Sequence, residues 1–96
     1  MTDLTDLCAF LDTAPSPFHA VRAAGGRLDA AGFRRVGETE DWRGTGRGYV
    51  VRGGALVGWA RPDGAPASAP MRIVGAHTDS PGLRIKPNAD AGALGW

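Results

Sequence analysis

The chain has one cysteine, Cys8, in 96 residues. A single thiol excludes an internal disulfide and any cysteine-based zinc finger. Long apolar runs are missing too. None approaches the ~18 residues that a membrane-spanning helix needs. The opening residues, Met1-Thr2-Asp3-Leu4-Thr5-Asp6, are acidic. They lack the basic stretch and apolar core of a secretory signal, so a cytoplasmic location is expected. Charge of one sign is also lacking. Eleven basic and ten acidic residues leave a net charge of +1. The only adjacent basic pair is Arg34-Arg35, and no aromatic ladder accompanies it. Composition therefore gives no basis for a nucleic-acid partner or an anionic membrane.

What is abundant is glycine and proline, 15 and 7 residues. That many turn formers predict a thin core. Hydrophobic residues at 43% and charged residues at 22% fit a folded chain of at most one small domain.

Leu4, Leu7, Cys8 and Leu11 fall on one helical face. The spacing predicts a first helix with Thr2 or Asp3 as N-cap, ending near Thr13 before Pro15 and Pro17. On that stripe Cys8 reads as a buried core thiol. Ser16-Pro17 predicts a new start, with serine as cap and proline in the first turn. The second helix should run from Pro17 to Ala31, with Phe18, Val21, Ala24 and Leu28 as its apolar stripe. Gly25-Gly26 in its middle costs about 1 kcal/mol per glycine, which packing has to offset. Gly32 suits the C-terminal cap.

Phe33 to Val36 reads as a short strand, and Glu38 to Gly48 as a loop. Tyr49-Val50-Val51 and Ala55 to Ala60, joined through Arg52-Gly53-Gly54, give a β-hairpin. Arg61 to Pro70 is proline- and alanine-rich and reads as a surface loop. Met71 to Ala76 is predicted as the next strand. Two helices, a hairpin and a further strand suit the opening of an α/β or α+β domain. Asn88 to Trp96 closes on Leu94-Gly95-Trp96 without a cap or polar tail, and reads as part of a longer chain. Trp42, Trp59 and Trp96 are spread along the sequence and form no visible cage. Gly44-Thr45-Gly46-Arg47-Gly48 neither follows a strong strand nor opens a helix, which argues against a phosphate loop.

The chemistry concentrates in Gly75-Ala76-His77-Thr78-Asp79-Ser80-Pro81-Gly82-Leu83-Arg84-Ile85-Lys86-Pro87. His77 can offer a neutral ring nitrogen to zinc, and Asp79 can orient that ring or balance the site's charge. Taken alone, His-x-Asp is a weak signal. Its place after an apolar run, where open α/β sheets put ligand sites, strengthens it. So does the stiff Ser80-Pro81-Gly82 turn that follows. His19, near the start of the second helix, is first a helix-end histidine and second a cleft residue. Arg84 and Lys86 alternate with Leu83 and Ile85, as on a solvated strand face.

Two segments together carry a resemblance. Phe10-Leu11-Asp12-Thr13-Ala14-Pro15-Ser16-Pro17-Phe18-His19-Ala20-Val21 resembles the N-terminal signature of the M18 metallo-aminopeptidases, the aspartyl-aminopeptidase family. The 75–87 segment resembles that family's first metal-site motif. The resemblance implies a three-layer α/β/α zinc-exopeptidase domain. Residues 1–87 would be its N-terminal segment, and residues 88–96 would lead to an insertion domain for oligomerisation. It implies a two-zinc exopeptidase acting on peptides with free N-termini, built as a homo-oligomer. On matching positions His77 would be a zinc ligand and Asp79 the nearby catalytic aspartate. The remaining ligands and the general-base glutamate would lie beyond Trp96, so these 96 residues alone should not hydrolyse peptides. The rival expectation is a non-catalytic short remnant or an interaction module that binds full-length subunits. A lone metal module is a third, and it requires His19 and His77 to converge.

Overall fold

The computed structural model describes residues 2–83, 85 and 87. The elements are α1 (Asp3–Asp12), α2 (Pro17–Ala30), β1 (Arg34–Arg35), β2 (Arg47–Arg52) and β3 (Ala55–Ala60). The predicted linker at 88–96, Trp96, and the Arg84 and Lys86 side chains lie outside the described residues.

Both helix starts follow from their caps. The Thr2 hydroxyl accepts from the Thr5 amide at 3.1 Å, and Ser16 Oγ accepts from the His19 amide at 3.3 Å. Pro17 occupies the first turn of α2, where its missing N–H costs nothing. At the other end Gly32 takes φ +87°, a left-handed conformation that glycine adopts without a Cβ clash. Gly32 then donates to the Asp29 carbonyl at 3.0 Å, and Phe33 donates to the Leu28 carbonyl at 2.9 Å. These paired bonds satisfy the last carbonyls and turn the chain toward the sheet.

The sheet has the order β1-β2-β3. β1 runs parallel to β2, with Arg34 opposite Gly48 and Arg35 opposite Tyr49. β2 and β3 are antiparallel from Arg47↔Ala60 to Arg52↔Ala55. Their turn is Gly53-Gly54, with Gly53 at φ +56°, the region that tight hairpin turns require of their first central residue. The predicted hairpin therefore stands, and β2 starts earlier than expected, taking Arg47 and Gly48 from the loop.

α2 packs against all three strands. The buried apolar side chains are Val21 from α2, Val36 after β1, and Tyr49 and Val50 from β2. Gly25 is buried because the Tyr49 ring lies against it; a Cβ there would stand 3.3 Å from the ring. The Tyr49 hydroxyl donates to Asp29 Oδ1 at 2.7 Å. This hydrogen bond, and then burial, push the Tyr49 phenol above its ordinary pKa. The two helices and the small mixed sheet form part of an α/β domain.

Two expectations need correction. Cys8 is exposed and not a core thiol. α1 turns its Asp6 and Phe10 side to α2, where Arg27 binds Asp6 and stacks over Phe10, leaving Leu4, Leu7 and Leu11 exposed. Met71 to Ala76 forms no strand. A strand requires hydrogen-bonding neighbours, and among the described residues none pairs with this run. Ile73 and Val74 are 83% and 96% exposed. Trp42 and Trp59 meet as a stacked pair with ring centroids 5.4 Å apart, which ties the β1–β2 loop to β3. Trp42 Nε1 donates to the Gly37 carbonyl and Trp59 Nε1 to the Thr45 carbonyl, fixing the pair at both ends. No helix among the described residues is long and apolar enough to cross a membrane.

Candidate metal centre

His77 and Asp79 flank a bend at Thr78. His77 Nδ1 lies 2.6 Å from the Asp79 backbone carbonyl and 3.6 Å from its Oδ1. A carbonyl oxygen has no proton to give, so Nδ1 carries the hydrogen and donates. In the neutral ring, Nε2 then keeps its lone pair. That is the tautomer a zinc-binding histidine adopts when its other nitrogen is held by an oxygen. Both side chains are about four-fifths exposed, at 80% and 79%. Their donor chemistry, one imidazole nitrogen and one carboxylate, fits part of a zinc ligand set.

The described residues supply only this part. No cluster of three or more histidine, cysteine, aspartate or glutamate side chains with metal-site geometry occurs among them. A catalytic zinc usually takes three protein ligands and an open position. His19 is engaged locally, with its Nδ1 2.6 Å from the Ser16 hydroxyl that caps α2. That is the helix-end role expected of it first. The groove between α2 and the sheet, lined by Val21, Arg22, Asp29, Arg35 and Tyr49 among others, does not include His77 or Asp79.

One contact of this region was invisible in the sequence pattern. Thr78 Oγ1 donates to the Gly54 carbonyl at 2.7 Å. Gly54 in turn sits so close to α2 that a Cβ on it would stand 2.9 Å from Pro17 Cβ. The 75–87 segment and the Ser16-Pro17 start of α2 are thus joined at the hairpin turn. Nothing local in the sequence signals this link between residues so far apart.

Comparison with known proteins agrees with the residues. The model of the aminopeptidase I zinc metalloprotease family (M18) matches residues 10–96. A probable M18 family aminopeptidase 2 from Streptomyces coelicolor is 59% identical over 92 residues, covering 95% of this chain and 21% of its own length. Proteins of the same description from Mycobacterium leprae and Mycobacterium tuberculosis are 49% and 46% identical, covering 95% and 94% of this chain. They are covered over 22% and 21% of their own lengths, so the chain spans about a fifth of the relatives it matches. With the match running through both the start of α2 and the His77–Asp79 bend, the chain belongs to the M18 family of zinc metalloproteases.

Proposed function

We propose that this chain is the N-terminal part of a zinc aminopeptidase that removes residues from the free N-termini of peptides. In this reading His77 is a zinc ligand through Nε2, and Asp79 is the catalytic aspartate beside it. The observation that carries it is the Nδ1–H donation from His77 to the Asp79 carbonyl at 2.6 Å, which leaves Nε2 as the free lone pair. Family membership supplies the metal and the reaction class. Two bound zinc ions would supply a water of lowered pKa and polarise the scissile carbonyl. The chain's own part is to present Nε2 in the right tautomer and to keep a carboxylate next to the ring. A carboxylate there strengthens the ring as a donor and stabilises positive charge on it.

The other ligands, the general base and the third layer of the α/β/α domain would come from sequence beyond Trp96. The 96 residues alone are accordingly expected to be inactive. The reading includes homo-oligomeric assembly and a cytoplasmic location.

The test is made on the complete protein. His77→Ala is expected to lose bound zinc and abolish peptide hydrolysis. Asp79→Asn should keep the fold and lower kcat. Full metal content and normal turnover in His77→Ala would remove it from the site; an unchanged kcat in Asp79→Asn would remove the aspartate from the mechanism.

A further inference from the structure

We infer that Thr78 is a positioning residue for the metal site, one that ties the His77–Asp79 bend to the tip of the β2–β3 hairpin. This rests on the reading of His77 as a ligand. It adds the means by which the ligand's backbone is held.

The run from Met71 to Ala76 forms no ladder with the described strands, and His77 and Asp79 are themselves exposed. Between them stands a side chain with a distant partner. The Thr78 hydroxyl donates to the Gly54 carbonyl at 2.7 Å across 24 residues of sequence. Its neighbours meanwhile bond to each other through Nδ1 and the Asp79 carbonyl. The division is simple: Thr78 goes to the hairpin, and His77 and Asp79 form the functional pair.

The acceptor is itself fixed. Gly54 belongs to a two-residue turn between fully paired strands. It presses on Pro17, where a Cβ would approach Pro17 Cβ to 2.9 Å. Pro17 lies in the first turn of α2, next to the Ser16 cap. A single hydrogen bond thus references the His-x-Asp bend to the hairpin and to α2 together. Metal ligands need their positions held within about half an ångström, and support for them is commonly worth ten- to a hundred-fold in metal affinity.

Valine matches threonine in shape and removes the donor, so Thr78→Val is the informative variant, with Thr78→Ser as its rescue. Zinc affinity of the complete protein is measured by competition with a chelator, and the ligand field by the visible spectrum of the cobalt-substituted form. Thr78→Val should bind zinc about tenfold more weakly and shift the cobalt bands, while the metal-free protein melts close to wild type. Thr78→Ser should restore both. Gly54→Ala, which forces the turn away from Pro17, should weaken zinc in the same direction. His77→Ala runs alongside. If His77→Ala loses zinc while Thr78→Val keeps wild-type affinity and spectrum, the positioning role is overturned and the site stands. If Thr78→Ser fails to rescue, the hydroxyl is not the agent. If His77→Ala itself binds zinc normally, the underlying site assignment fails.

Discussion

Gly25 and Gly26 are neighbours in α2 with opposite surroundings. A Cβ on Gly26 meets nothing within 4 Å, whereas on Gly25 it meets the Tyr49 ring at 3.3 Å. Tyr49 cannot give way easily. It is 2% exposed, and its hydroxyl is held by Asp29 at 2.7 Å. Alanine at 26 should therefore stabilise the protein by about 0.4–1 kcal/mol, through helix propensity and a less disordered unfolded state. Alanine at 25 gains the same propensity and loses more to overpacking, for a net cost of about 1 kcal/mol. Chemical denaturation of the two variants reads this directly. Equal stabilisation by both would show that Tyr49 does not need the glycine. The pair was legible in the sequence as an anomaly, two helix-weakening residues inside a good helix. Its cause was not legible, because Tyr49 lies in another element and no local spacing points to it. The same holds at the candidate site. His77 and Asp79 announce themselves by residue type, whereas Thr78 matters through a partner in the hairpin turn.

Elements with local causes were read correctly, and so was the short strand at Arg34–Arg35, which pairs with β2, whereas the 71–76 run and the packing face of α1 were not. Thr2, Ser16-Pro17 and Gly32 fix the helix ends, and Gly53-Gly54 fixes the hairpin, all within a few residues. The 71–76 run has the apolar content of a strand, but a strand is a relation to neighbours, and none of the described strands adjoins it. α1 shows the same limit: its leucine stripe is regular, yet its Asp6 side faces α2. The tie is ionic. Arg27 donates to Asp6 Oδ2 at 2.7 Å, to Oδ1 at 2.9 Å and to the Asp6 carbonyl at 3.3 Å. The hydrogen bonds from Arg27 hold the Asp6 carboxyl below its ordinary pKa. A carboxylate depressed in the folded state stabilises docking above its unfolded pKa of about 4, and that stabilisation disappears as pH falls through the lowered value. Both side chains are about half exposed, so salt should weaken the tie as well. Hydrogen exchange of α1 amides, corrected for intrinsic rates, should show α1 loosening at low pH and in high salt before the sheet does. Asp6→Asn should remove most of that pH dependence. Equal protection of α1 in the wild type at neutral and low pH would mean that the helix is held by something other than Arg27.

At the scale of the whole molecule, the balance between core and exposed apolar surface decides what kind of object this chain is. Among the described residues the buried apolar side chains are Val21, Val36, Tyr49 and Val50. Against them Leu4, Met71, Ile73, Val74, Leu83 and Ile85 are each at least 70% exposed. A compact domain of this length has a radius of gyration of about 12–13 Å. The value here is 17.9 Å. So small a core cannot offset the conformational entropy of ordering the whole chain, and so much exposed apolar surface calls for a cover. Relatives that match it over 94–95% of its length are matched over only about a fifth of their own, and the rest of such a protein is a source for that cover. The exposed 71–83 run would then pair and be buried, and the ligands missing around His77 would arrive with the same segments. The prediction is a native protein, taken from its own cells, with an intact mass several-fold above 10.0 kDa and these 96 residues at its N-terminal end. A native mass of 10.0 kDa would leave the apolar run uncovered and His77 without a full ligand set among the described residues. The peptidase reading would then give way to a chain that functions only by docking on another protein.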